Sequence, residues 1–71
     1  MATYTVGKFA KHFGLSRSTL LYYDSLGLLV PAARGANGYR LYDDHDLQRM
    51  QAIQQYRNAG IPLKEIGALL E

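Results

Sequence analysis

The residues best equipped for chemistry lie in two short stretches. In residues 17–25, RSTLLYYDS, the positions Arg17, Ser18, Leu21, Tyr22 and Ser25 fall at i, i+1, i+4, i+5 and i+8. On a helix that spacing makes one face. It holds a guanidinium, two small hydroxyls, a phenol and an exposed leucine, with no carboxylate among them. A purely solvated face would more often mix Glu with Lys. This set suits the major groove of a duplex, where arginine donates to guanine and hydroxyl or apolar groups meet base edges and thymine methyls. Tyr22 and Tyr23 are adjacent and so point about 100° apart. Tyr22 shares the outer face; Tyr23 shares its side with Leu20 and Leu26, where its ring packs while its hydroxyl reaches outward towards a phosphate. The second stretch, residues 28–42, carries Arg34, Tyr39 and Arg40 without an acid. Lys8 and Lys11 lie on the outer side of an earlier helix, and Lys8 occupies a first turn, where a cation opposes the helix dipole. That position fits a phosphate contact, with a solvated lysine as the plain alternative.

Other chemistries lack their ingredients. The 71 residues contain no cysteine, so disulfides and thiolate metal sites are excluded, and His12 and His45 are too far apart to suggest a zinc site. Asp43, Asp44 and Asp46 cluster where a helix begins, and dipole and capping preferences account for them without a metal. A calcium loop would need alternating oxygen ligands and a turn glycine. No phosphate loop, strained nucleophile turn or paired carboxylate is present, so neither an enzyme nor a cofactor is expected. No apolar run reaches the ~18 residues of a membrane span, and MATYTVGKFAK lacks a signal-peptide pattern. A soluble, cytoplasmic, nucleoid-associated protein is the expectation.

The net charge of +2 is unevenly spread. Residues 1–42 hold Lys8, Lys11, Arg17, Arg34 and Arg40 against Asp24 alone, whereas residues 43–71 hold three cations against five acids. A basic half points to a polyanion, and to nucleic acid in particular, although ordinary surface charge would also produce it.

These side chains need a scaffold. Val6, Phe9, Ala10 and Phe13 mark the inner face of a first helix, with Thr5 as N-cap and Gly14 as its left-handed stop. Ser16 caps a second helix from Arg17 to about Leu26, ended by Gly27. Two helices joined by the turn FGLS make a helix-turn-helix. Leu28–Val30 and Tyr39–Tyr42 read as the two strands of a hairpin, with Gly35, Asn37 and Gly38 turning between them and Pro31 confining pairing to an edge. A third helix starts near Asp43 or Asp44, buries Leu47, Met50, Ile53 and Tyr56, and stops at Asn58-Ala59-Gly60. A fourth begins at Pro62 with an inner stripe of Leu63, Ile66, Leu69 and Leu70. Chains of this length bury only ~60% of their unfolded surface, so the core must be thin.

The blocks YTVGKFAKHFGLS, TLLYYDSLGLLVP, NGYRLYDDHDLQRM and GIPLKEIGALL, in this order, resemble the N-terminal domain of MerR-type transcription regulators from Tyr4 to Leu70. The most specific parts are TL-x-YYD-x-x-GLL-x-P and GYR-x-Y before an acid-capped helix. The resemblance implies a mainly α, winged helix-turn-helix: helix-turn-helix over about 5–27, wing over about 28–42, second helix pair over about 43–71. It implies a double-stranded promoter pseudo-palindrome as partner, distorted so that RNA polymerase can engage it. It also implies a homodimer made through a C-terminal helix, followed by an effector domain, neither lying within these 71 residues. By matching positions, Tyr22 and Tyr23 take base-edge or phosphate roles, Tyr39 and Arg40 contact DNA from the wing, Arg34 is a basic wing position, and Lys64 touches phosphate. Ser18 and Leu21 stand where the family usually has arginines. Leu21 therefore reads as a thymine-methyl contact or as part of a protein-binding surface. The competing function is a protein-interaction module whose helix-turn-helix binds an antagonist.

Overall fold

The computed structural model describes residues 2–70. The elements run β1 (Thr3–Thr5), α1 (Val6–Phe13), α2 (Arg17–Ser25), β2 (Ala33–Arg34), β3 (Arg40–Asp43), α3 (Asp44–Asn58) and α4 (Leu63–Leu69). Local chemistry sets most boundaries. Thr5 and Ser16 accept hydrogen bonds from the backbone amides of Lys8 and Thr19, and Gly14 closes α1 at φ 67°. Asp43 and Asp46 form a reciprocal capping box at the start of α3, each side chain accepting from the other's backbone amide.

The strands form an antiparallel sheet in the order β1-β3-β2, with Tyr4 opposite Tyr42 and Arg34 opposite Arg40. The wing is thus the outer part of a three-stranded sheet rather than a free two-stranded hairpin. Its tip turns over Gly35–Gly38, where the Gly38 amide donates to the Gly35 carbonyl and Gly38 takes the left-handed φ of 78°.

The expected first wing strand at 28–30 is displaced to Ala33–Arg34. Gly27, at φ 71°, reverses the chain so that the amides of Leu28 and Leu29 both donate to the Tyr23 carbonyl. That reversal drives both leucines into the core instead of along a sheet edge. The connector is then held by Asp46, whose Oδ2 accepts from the Ala32 amide at 3.0 Å. Two other expectations fail on burial: Leu26 and Leu69, assigned to inner stripes, are exposed, because each lies at the open end of a short helix.

The core gathers Phe9, Leu20, Tyr23, Leu28, Leu29, Tyr42, Met50, Ile53 and Ile66, one or more from every helix and from β3. Phe9 and Tyr42 stack at 4.3 Å and 15°, fastening α1 to the sheet. Helix α3 also supplies polar props to the helix-turn-helix: Arg49 Nε donates to the Leu28 carbonyl at 2.8 Å, and Gln54 Nε2 to the Phe13 carbonyl at 3.1 Å. The second caps an orphan carbonyl at the end of α1.

Burial raises the Asp46 carboxyl above its usual range despite its backbone donors. For an acid raised in the fold, the associated stability is present below the unfolded-state pKa and is lost as pH rises through the folded value. Asp46→Asn, which keeps an acceptor but no charge, is therefore expected to gain on wild type as pH rises from about 4 to 6. Asp46→Ala is expected to cost about 1–3 kcal/mol by stranding the Ala32 and Asp43 amides. Urea unfolding of the three proteins across that range measures both effects.

Candidate nucleic-acid interface

The outer face of α2 is built as its spacing requires. Leu20 and Tyr23 are buried, which turns Arg17, Ser18, Leu21, Tyr22 and Ser25 to solvent; Leu21 is 43% and Tyr22 55% exposed. Ser25 is less free than its neighbours, since its hydroxyl donates to the Tyr22 carbonyl at 2.6 Å.

Seven of the sequence-expected residues line one of three surface hollows, whereas Lys8, Leu21 and Arg34 line none of them. One, of about 320 Å³, is lined by Thr5, Val6, Gly7, Arg17, Tyr39 and Arg40, so it joins the start of α1, the start of α2 and the wing. Gly7 lets Arg17 lie over the first turn of α1: a β-carbon there would stand 3.1 Å from Arg17 Nη2. A second, of about 510 Å³, includes Ser16, Ser18, Thr19, Tyr22, Tyr23 and Arg57. The third, of about 450 Å³, includes Tyr22, Leu26, Arg49, Leu63 and Lys64. Tyr22 borders the last two. Lys8 is exposed on α1, and Tyr39, at 69%, is the most exposed large hydrophobic side chain among the described residues.

Electrostatics distinguish the helices. Helix α3 begins with Asp43, Asp44 and Asp46, which compensate its positive end. Helices α1 and α2 have no acid in the first turn; Lys8 lies in one and Arg17 in the other. Cations at the positive ends of two neighbouring helices are unfavourable until an external anion arrives. Among the described residues, neither Lys8 nor Arg17 has a side-chain hydrogen bond or ion pair in the structure, and Lys64 has none either.

Two partnerships lay outside local sequence spacing. Tyr23 Oη accepts from Arg57 Nη1 at 2.7 Å, so the hydroxyl expected to face phosphate holds an arginine from the end of α3. Tyr23 is only 1% exposed, so the expectation that its hydroxyl reaches outward to a phosphate is not met: burial of the whole side chain leaves the hydroxyl to Arg57. Arg57 joins the candidate set through this bond; its place off the apolar face of α3, near the helix end, was the one sign in the sequence. Asp24, at the end of α2, receives Arg40 Nε at 2.8 Å and faces Arg34 Nη2 at 3.6 Å. Asp43, His45 and Asp46 bring ligand atoms within 4.8 Å of one another, but Asp46 Oδ2 and Asp43 Oδ1 are committed to backbone amides.

The family model for the MerR HTH family of regulatory proteins matches residues 4–71. The chain belongs to that family. It is 48% identical over 69 residues to the HTH-type transcriptional activator TipA of Streptomyces coelicolor, covering 97% of this chain but 27% of TipA. It superposes on the crystal structure of the transcriptional regulator SkgA from Caulobacter crescentus with a TM-score of 0.91 at 49% identity, spanning all of this chain and 51% of that one. HiNmlR, a MerR family regulator lacking the sensor domain and bound to promoter DNA, gives a TM-score of 0.86 at 40% identity, over 96% of this chain and 54% of that one. The fold is the winged helix-turn-helix of these regulators, and the chain spans about a quarter of the length of the curated relatives such as TipA.

Tyr23→Phe keeps the buried ring and removes the acceptor for Arg57. A loss of about 1–3 kcal/mol is expected for this charge-assisted bond. Thermal unfolding measures the loss, and loss of the Arg57 Nη contact in an NMR spectrum locates it.

Proposed function

We propose that this chain is the DNA-reading domain of a MerR-type regulator, binding a double-stranded promoter site in sequence-specific fashion. The observation that carries the reading is the pair of uncompensated helix starts: α1 and α2 present Lys8 and Arg17 at their positive ends, and Arg17 shares a hollow with Tyr39 and Arg40 of the wing, in a family whose member HiNmlR is bound to promoter DNA.

In this reading α2 enters the major groove, with Arg17, Ser18, Leu21 and Tyr22 at base edges. Leu21 in place of arginine trades a guanine-directed donor for contact with a thymine methyl. Lys8, Arg57 and Lys64 meet phosphate, and Arg34, Tyr39 and Arg40 extend the contact from the wing. The full-length protein would act as a homodimer on a pseudo-palindrome in the cytoplasm, with pairing supplied by a following helix, and would present distorted promoter DNA to RNA polymerase. The 71 residues alone are accordingly expected to sediment as a monomer. No helix of the described residues is long and apolar enough to cross a membrane.

Exposed Leu26 beside the groove of Leu63 and Lys64 favours the second reading, a surface for a regulatory protein. Salt separates the two. Duplex affinity is expected to fall with added salt, and Arg17→Ala and Lys64→Ala are each expected to lower the slope of log affinity against log salt by about one. Negligible affinity for any duplex at low salt would favour the protein-binding reading instead.

A further inference from the structure

The wing contains an electrostatic conflict that its own sequence does not resolve. Arg34 and Arg40 are direct cross-strand partners in the β2–β3 ladder. Like charges placed opposite each other destabilise a strand pair, and this ladder is only two residue pairs long. The resolution comes from α2. Asp24, the single acid of residues 1–42, lies between the two arginines. Its Oδ2 accepts from Arg40 Nε at 2.8 Å and stands 3.6 Å from Arg34 Nη2. The Asp24 side chain is 15% exposed and that of Arg40 28%, so the closer pair is shielded from solvent. Arg34 is anchored a second time, donating from Nη1 to the Gly38 carbonyl at 3.4 Å.

The geometry has a consequence for recognition. Asp24 engages the Nε edge of Arg40, and among the described residues no other hydrogen bond uses that guanidinium. The terminal nitrogens are left with their donors free and their direction set by the pair. Because Asp24 follows Tyr22 by two residues on α2, the direction of the wing's arginines is referred to the helix that carries Ser18, Leu21 and Tyr22. The same carboxylate also cancels part of the positive charge that would draw the wing to any phosphate. It therefore works against general attraction while favouring one arrangement.

We propose that Asp24 is a positioning residue for sequence recognition, locking the wing to the reading helix so that both meet the duplex as one unit. The inference rests on the DNA-reading function above. A residue that served stability alone would change affinity for all duplexes together; a positioning residue changes the ratio between them.

The test compares wild type, Asp24→Asn and Asp24→Glu in the 71-residue chain. One probe is a duplex enriched from a randomised pool by the wild-type chain, and the other is a composition-matched scrambled duplex. For Asp24→Asn, scrambled-duplex affinity is expected to rise about threefold and the salt slope to steepen by up to one. The preference for the enriched duplex is expected to fall roughly tenfold, about the effect of one mismatched base pair. Residual dipolar couplings of α2 and the wing should fit one alignment tensor in wild type and fail to do so in Asp24→Asn. Asp24→Glu, which keeps the charge, is expected to hold the preference within about threefold of wild type, well short of a one-contact loss. If Asp24→Asn does not fold, this variant carries the test: a collapsed preference with both arginine pairs intact would overturn the proposal. So would an Asp24→Asn protein whose preference is unchanged, whether both affinities rise or fall together. A wild-type chain that enriches no duplex and shows no salt-dependent affinity would overturn the DNA-reading function itself, and this inference with it.

Discussion

One carboxylate oxygen, Asp24 Oδ2, joins the two parts of the molecule that the proposed function must coordinate. The helix-turn-helix is held by burial: Phe9, Leu20 and Tyr23 enter a shared core with Met50, Ile53 and Ile66. The base of the wing is held the same way, through Tyr42 stacked on Phe9. Its tip is not, because both residues of β2 are exposed and face a strand that places arginine against arginine. Asp24 supplies what apolar packing cannot reach there. Partly buried ion pairs of this kind are poor sources of net stability, since desolvation offsets most of the attraction, but losing one partner strands the other charge. Their value lies in selecting one arrangement of the groups they join.

A second constraint is the unequal treatment of helix starts. The chain compensates α3 fully, with three aspartates and a reciprocal capping box. It leaves α1 and α2 capped by neutral hydroxyls and adds Lys8 and Arg17 to their positive ends. The hydrogen-bonding needs of the first turns are met while their electrostatic needs are not. Phosphate oxygens would meet them, which is why the surface around Gly7, Arg17 and the wing suits a polyanion better than it suits water. Helix α3 takes the complementary structural part, with Arg49, Gln54 and Arg57 each reaching back to a carbonyl or hydroxyl of the helix-turn-helix region.

Much of this was legible in the sequence where the cause is local. Caps at Thr5, Ser16 and Asp43, the left-handed Gly14, and the buried face of α1 follow from residue type and spacing within one turn, and so did the exposure of Tyr22 and the burial of the Tyr23 ring, though not the burial of the Tyr23 hydroxyl. The misplaced first wing strand shows the limit. An apolar run such as Leu28–Val30 reads equally well as a strand or as a core segment, and the decision was made by the reversal at Gly27 and the hydrogen bonds to Tyr23. Strand β1, three residues long, gains its identity from pairing with β3 some 40 positions later. The Asp24–Arg40 and Tyr23–Arg57 contacts bridge sequence separations of 16 and 34, so no local pattern announces them.

Titration of the isotope-labelled chain with duplex DNA at low salt, its backbone amides followed by NMR, tests the proposed interface most directly. Perturbations are expected at the starts of α1 and α2, along Ser18, Leu21 and Tyr22, across the wing around Arg34, Tyr39 and Arg40, and near Arg57 and Lys64. Unperturbed amides over α2 and the wing, with changes confined to the groove of Leu26 and Leu63 or absent altogether, would contradict it.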